Sequence, residues 1–162
     1  MRVIGVDPGI AKLGYAILEE KEGETLLIGG GIIRTEKLKT EERLFKIYSE
    51  LSKVIDDYKP YEMAIEDFVG RNIKDALKIG EARGIVLLLA KEKGIKVFEY
   101  SPTKVKRDIS GYGRTDKEGM KRAIKFIMSA PDMGDDMADA VAISLCHLSE
   151  RRLYGEGDRG DS

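Results

Sequence analysis

The chain alternates short apolar runs with longer stretches of helical periodicity. Residues 2–7 (RVIGVD) form an apolar run that ends on a carboxylate, which predicts a buried strand. The stretches 13–20 (LGYAILEE) and 25–35 (TLLIGGGIIRT) follow, joined by the turn-rich KEGE, and predict an antiparallel meander with the first strand. Leu44, Ile47, Leu51, Val54 and Ile55 recur at helical spacing, with Thr40 as the expected N-cap and Pro60 as the stop. The run 62–67 (EMAIED) sits between helical patterns and predicts a buried parallel strand. A long helix over 72–94 closes on Gly94; a strand over 95–101 and helices over 117–129 and 135–152 complete the pattern. Three consecutive strands followed by alternating helices and strands predict an α/β protein: a mixed five-stranded sheet with helices on both faces. One domain over 1–152 is expected, with a flexible tail over 153–162.

Composition narrows the class. At 162 residues with 42% hydrophobic and 35% charged residues, the chain is long enough for a single packed core. No apolar run approaches the roughly 20 residues needed to span a bilayer, and because the N-terminus already reads as a strand no signal peptide is expected. The single cysteine, Cys146, excludes an internal disulfide and a cysteine-based zinc site. These features lead to the expectation of a cytoplasmic protein without membrane partners. Net charge is −1, but residues 104–125 carry eight basic and three acidic side chains, so a +5 block stands against −6 elsewhere. Such a block is either an electrostatic footprint for a polyanion or a solvated helix face.

Carboxylates supply the candidate chemistry. Asp7 and Glu66 each end an apolar strand, and in α/β sheets chemistry collects at the carboxyl ends of parallel strands. If those strands are neighbours, the two acids lie about 5 Å apart. The last helix adds Asp136 and Asp139 at i, i+3, although Asp135 and Asp139 at i, i+4 share a face equally well. Acids at strand ends are often solvated, and aspartates in a first turn often serve only the helix dipole. Asp139, a full turn in and between alanines, is not explained that way. Oxygen donors from distant segments, with no Cys among them and a single His in the chain, suit Mg²⁺, with Mn²⁺ able to substitute. Two such ions roughly 3.5–4 Å apart can drive in-line attack on a phosphodiester.

The stretches IGVDPG, AIEDF, DALKIGEARG, FEYSPTKVKRDISGYG and DDMADAVAISLCH together resemble the RuvC family of bacterial Holliday junction resolvases, which have an RNase H-like fold. The likeness spans residues 2–150. It implies a metal-dependent endodeoxyribonuclease that nicks four-way DNA junctions symmetrically during recombination and repair. It carries the family's acidic site onto Asp7, Glu66, Asp136 and Asp139, preferring Asp136 over Asp135, and two functional lysines onto Lys106 and Lys117. It further implies a homodimer formed through the helix at 72–94, where Ile73, Leu77, Gly80 and Gly84, with Ala76 and Val86 nearby, make an apolar edge. A RuvAB branch-migration complex is the implied partner. Lys104, Arg107 and Arg114 of the basic block and Arg71 of the loop after Glu66 are candidate DNA contacts. The aromatic that stacks on junction bases sits three residues after the glutamate in better-known members; that position is Val69 here, which leaves Phe68 either as a displaced base wedge or as a core residue. Cys146 reads as a small buried apolar residue and His147 as a surface or supporting group. Two rival readings are a related nuclease acting on RNA processing intermediates and an actin-like nucleotide-binding module with GVDPG at the phosphate.

Overall fold

The computed structural model describes residues 1–68 and 72–155. Five strands, β1 (Arg2–Pro8), β2 (Lys12–Lys21), β3 (Glu24–Arg34), β4 (Glu62–Glu66) and β5 (Lys96–Tyr100), form one sheet in the order β3-β2-β1-β4-β5. β1–β2 and β2–β3 pair antiparallel, whereas β1–β4 and β4–β5 pair parallel. This is the expected mixed sheet. Five helices cover it: α1 (Thr40–Tyr58), α2 (Ile73–Glu92), α3 (Pro102–Ser110), α4 (Lys117–Met128) and α5 (Asp135–Tyr154).

Strand alternation divides the sheet into two faces. Ile4, Val6, Leu13, Ile17, Met63 and Ile65 pack on α1 and α2; Val3, Ala16, Leu18 and Ala64 pack on α3, α4 and α5. Asp7 follows Val3 and Gly5 on the second face, and Glu66 follows Ala64, so the same alternation that builds the core points both acids toward α5. Helix α5 lies unusually close. A Cβ at Gly5 would overlap the Ser144 hydroxyl and the Ala140 carbonyl, and a Cβ at Gly14 would overlap the Asp136 carbonyl. Glycine at those two positions lets the helix settle against β1 and β2, bringing its acidic first turns to the end of β1.

Four details differ from expectation. Helix α3 lies in a segment to which the sequence pattern assigns no element; Ser101 caps it, its hydroxyl accepting from the Lys104 amide at 3.2 Å, and Pro102 occupies the first turn. The α1 cap is Lys39 rather than Thr40, and the Glu42 carboxylate accepts the Lys39 amide at 3.3 Å. Helix α2 starts after the cap Asn72 and ends at Glu92, and Gly94 takes the left-handed conformation just beyond (φ 69°). Helix α5 continues through Leu153 and Tyr154, residues assigned to a tail; Arg152 holds this end by bonding Glu20 at 2.6 Å and Thr25 at 2.8 Å. No helix among the described residues is long and apolar enough to cross a membrane.

Candidate active site

The parallel register of β1 on β4 aligns Gly5 with Ala64 and Val6 with Ile65, so Asp7 and Glu66 take the next positions of adjacent strands on one face. Both are half-buried, and α5 brings half-buried Asp139 against them. Their mutual influence is visible in acidity. Burial, then the charges of Asp139 and Asp136, push Asp7 up to about 7. Burial, then Asp7 and Asp139, push Glu66 up to about 7. Asp139 is raised by burial and by Asp136 and Asp135. Three acids from three elements thus share one poorly solvated site in which burial and neighbouring carboxylates outweigh the nearby positive charge.

Asp135 and Asp136 separate clearly. The Asp135 carboxylate faces α4, 3.0 Å from Lys121 and 3.7 Å from Lys117, and this pairing lowers its pKa. The Asp136 carboxylate turns inward to Lys12 at 2.7 Å, and its charge reaches both Asp7 and Asp139. Asp136 is therefore the better fourth member. Lys12 was missed by sequence reading; the available signal was a lone cation five residues after Asp7, at the start of the returning strand and on the same face as Gly14.

The other expected contacts divide. Lys106, on α3, lowers the pKa of Glu66 and Asp139, and Lys117, at the start of α4, does so for Asp7 and Asp139; both stand at the acid rim. Arg107 and Arg114 are exposed. Lys104 is committed elsewhere, at 2.9 Å from Asp108 on its own helix and 2.7 Å from Glu150, the second pair fastening α3 to α5. Phe68 is half-buried beside the acids in a narrow cleft that also includes Asp7, Glu66 and Arg83. Val69 and Arg71 lie outside the described residues. Cys146 is buried as expected, its thiol pushed up to about 12 by burial and by Asp108. His147 is not a surface group: it is fully buried, with Nε2 2.7 Å from Glu62 and Nδ1 2.7 Å from the Tyr100 hydroxyl. It sits at the opposite end of β4 from Glu66.

Among the described residues, no three His, Cys, Asp or Glu side chains close into a ready-made ion cage. The fit to a divalent cation rests on donor chemistry: oxygen-only ligands, four acids, and a desolvation cost that a cation would offset.

Comparison with known proteins decides the family. The model of the crossover junction endodeoxyribonuclease RuvC family matches residues 3–147. The chain belongs to the RuvC family. A RuvC of Roseiflexus sp. (strain RS-1) is 42% identical, with 90% of this chain and 89% of the relative covered. A RuvC of Caldicellulosiruptor saccharolyticus is 42% identical over 98% of this chain and 99% of the relative. The structure of T. thermophilus RuvC in complex with a Holliday junction substrate superposes with a TM-score of 0.88 at 31% identity, covering 96% of this chain and 97% of that one. The yeast mitochondrial Holliday junction resolvase Ydc2 has a TM-score of 0.64 at 13% identity, with 94% of this chain and 82% of that one covered, and shares the RNase H-like RuvC fold. RuvC membership places the chain among metal-dependent nucleases; the ion and its number belong to the reading that follows.

Proposed function

We propose that the chain is a crossover junction endodeoxyribonuclease that resolves four-way DNA junctions by hydrolysing phosphodiester bonds at the Asp7–Glu66–Asp136–Asp139 site. The observation that carries this is the convergence of Asp7, Glu66 and Asp139 from β1, β4 and α5, with pKa values raised by burial and by neighbouring carboxylates. These acids hold Mg²⁺, or Mn²⁺ in its place, as two ions per site. When bound, such ions activate the attacking water and stabilise the leaving oxygen. Lys12 holds the Asp136 carboxylate in place at 2.7 Å. Lys106 and Lys117 approach the scissile phosphate from α3 and α4 and offset the charge that develops on it. Phe68, at the cleft mouth, stacks on a base next to the cut. Arg71, Arg107 and Arg114 supply backbone contacts, while Lys104 serves the fold.

Cutting two strands of one junction calls for two sites, and α2 offers the surface that joins them. Ile73 is 89% exposed, Leu77 64% and Leu88 60%. Added Cβ atoms at Gly80 and Gly84 would meet nothing within 4 Å in the protomer. Val86 does not belong to this edge; it is fully buried against the sheet. The open stripe therefore suits a second copy of the chain in a two-fold dimer. Leu77→Glu is expected to give a folded monomer by sedimentation; a variant that remains a dimer places the interface elsewhere. A RuvAB branch-migration complex, implied by RuvC membership, would supply the junction.

The deciding assay compares synthetic four-way junction, linear duplex and RNA substrates with and without Mg²⁺ at fixed salt. Paired nicks confined to the junction and to Mg²⁺ are expected. Preferential RNA cleavage would favour the RNA-processing alternative, and metal-independent nicking would remove the acids from the mechanism.

A further inference from the structure

Two arginines that play no part in the proposed chemistry meet the backbone on either side of the site. Arg43, on α1, is 6% exposed, so its guanidinium sits almost wholly inside the protein. Its Nη2 donates to the Gly9 carbonyl at 3.1 Å and to the Lys78 carbonyl at 2.9 Å, and its Nη1 donates to Glu81 at 3.4 Å. Gly9 lies two residues after Asp7, and its amide donates to the Lys12 carbonyl at 2.9 Å, so the turn is held from both sides. Arg83, on α2, donates from Nη1 to the carbonyl of Glu66 itself at 3.0 Å and from Nη2 to Glu99 at 2.6 Å. Helix α2 is thus tied to the peptide after Glu66 by Arg83, and to the turn after Asp7 through Arg43.

A buried arginine spends its charge where a forked, planar donor is needed, because each unmet group there is costly. Two of the groups met here, the Gly9 and Glu66 carbonyls, lie at the ends of the two strands that carry the acids. Neither guanidinium is among the charges that set the acidity of Asp7 or Glu66; those are Asp136, Asp139, Lys12, Lys106, Lys117 and, for Glu66, Asp7. Their effect is therefore on position rather than on titration. Position matters because Asp7 and Glu66 stand on two different strands, so the separation of their carboxylates follows the two strand ends. Ion binding then depends on how firmly the two strand ends are held at the right separation.

We propose that Arg43 and Arg83 are positioning residues that fix the strand ends carrying Asp7 and Glu66 against α2 at the spacing a divalent ion requires. This deepens the nuclease reading and rests on its assignment of Asp7 and Glu66 as ligands.

Charge and position predict opposite signs. Removing a nearby cation should, by electrostatics alone, tighten binding of a divalent ion. Removing a positioning bond should weaken it. Titrating Mn²⁺ into the metal-free full chain without DNA, followed by the free-ion paramagnetic resonance signal, reads this directly. Arg83→Gln and Arg43→Gln are expected to raise the Mn²⁺ dissociation constant by about 10-fold or more, within the range seen when groups supporting metal ligands are removed. The Mg²⁺ concentration for half-maximal junction cleavage should rise in parallel, with circular dichroism unchanged. Mn²⁺ affinity that is unchanged or tighter overturns the proposal, as does a wild-type chain that takes up no Mn²⁺. If a glutamine variant fails to fold, Arg83→Lys and Arg43→Lys decide by the same criterion, since they keep the charge and lose the fork. Failure of the wild-type chain to cut junctions would sink the nuclease reading, and the Mn²⁺ titration would still decide the role of the arginines.

Discussion

Asp7→Asn is expected to reduce Mg²⁺-dependent junction cleavage by about 10²–10³-fold or more while leaving junction binding unchanged or slightly tighter. The magnitude is that of removing one preorganised electrostatic group from a transition state, and loss of a shared metal ligand adds to it. Asp7 is the right residue because it sits at the centre of the cluster. Its acidity responds to Asp139 and Asp136 on α5 and to Lys12 and Lys117 at the rim, and it in turn raises Glu66. Asparagine keeps the volume and the strand geometry and removes only the charge. Binding should survive because it comes from phosphate contacts made by basic side chains, and losing an anion beside DNA does not weaken those. The metal-free variant should also melt above the wild type, since a carboxylate buried without enough counter-charge costs stability that the amide does not. Gel-shift, cleavage and melting measurements on one preparation check all three. Cleavage within a few-fold of wild type by a folded Asp7→Asn chain would remove Asp7 from the site.

The sheet and the acids were readable in the sequence because their signals are local. Asp7 and Glu66 each terminate an apolar strand, and that ending marks the functional edge of an α/β sheet before any pairing is known. Asp139 was marked by its place between alanines, one turn beyond where a capping role ends. Spacing alone could not choose between Asp135 and Asp136. The choice is made by cations remote in sequence, Lys121 for one and Lys12 for the other. The same limitation misplaced Lys104, which looked available for DNA but pairs with Glu150 on α5. It also hid His147, whose partners Glu62 and Tyr100 come from two different strands. Helix α3 was missed for a different reason: its single turn of apolar spacing, Val105 and Ile109, is too short to register, although Ser101 and Pro102 announce its start. The supporting arginines are legible only in the fold, because what they hold is backbone.

The second large effect is on pH. Asp7 and Glu66 are both pushed up to about 7, and Asp139 is raised as well. A cation must displace the protons that these groups hold. Well below pH 7, two protons leave for each ion bound between them, so the apparent affinity for Mg²⁺ or Mn²⁺ should fall by up to about 100-fold per pH unit, and level off above pH 7. The two acids titrate as a coupled set, which broadens the curve without changing its direction. Stability of the metal-free chain should move the other way. The folded pKa values lie above the ordinary carboxylate values near 4, so the folded state keeps protons that the unfolded chain releases. That contribution is complete below about pH 4 and is lost as pH rises to about 7, at roughly 1.4 kcal/mol per unit for each group. Metal-free protein is therefore expected to melt higher at pH 5.5 than at pH 8, and added Mg²⁺ should recover stability at pH 8 but not at pH 5.5. A metal requirement that stays flat across this interval, or melting temperatures indifferent to both pH and cation, would mean that the acids of β1, β4 and α5 do not act as one site. Glu66→Gln supplies the control: it removes one of the two protons, and the dependence of metal affinity on pH should fall to about 10-fold per unit.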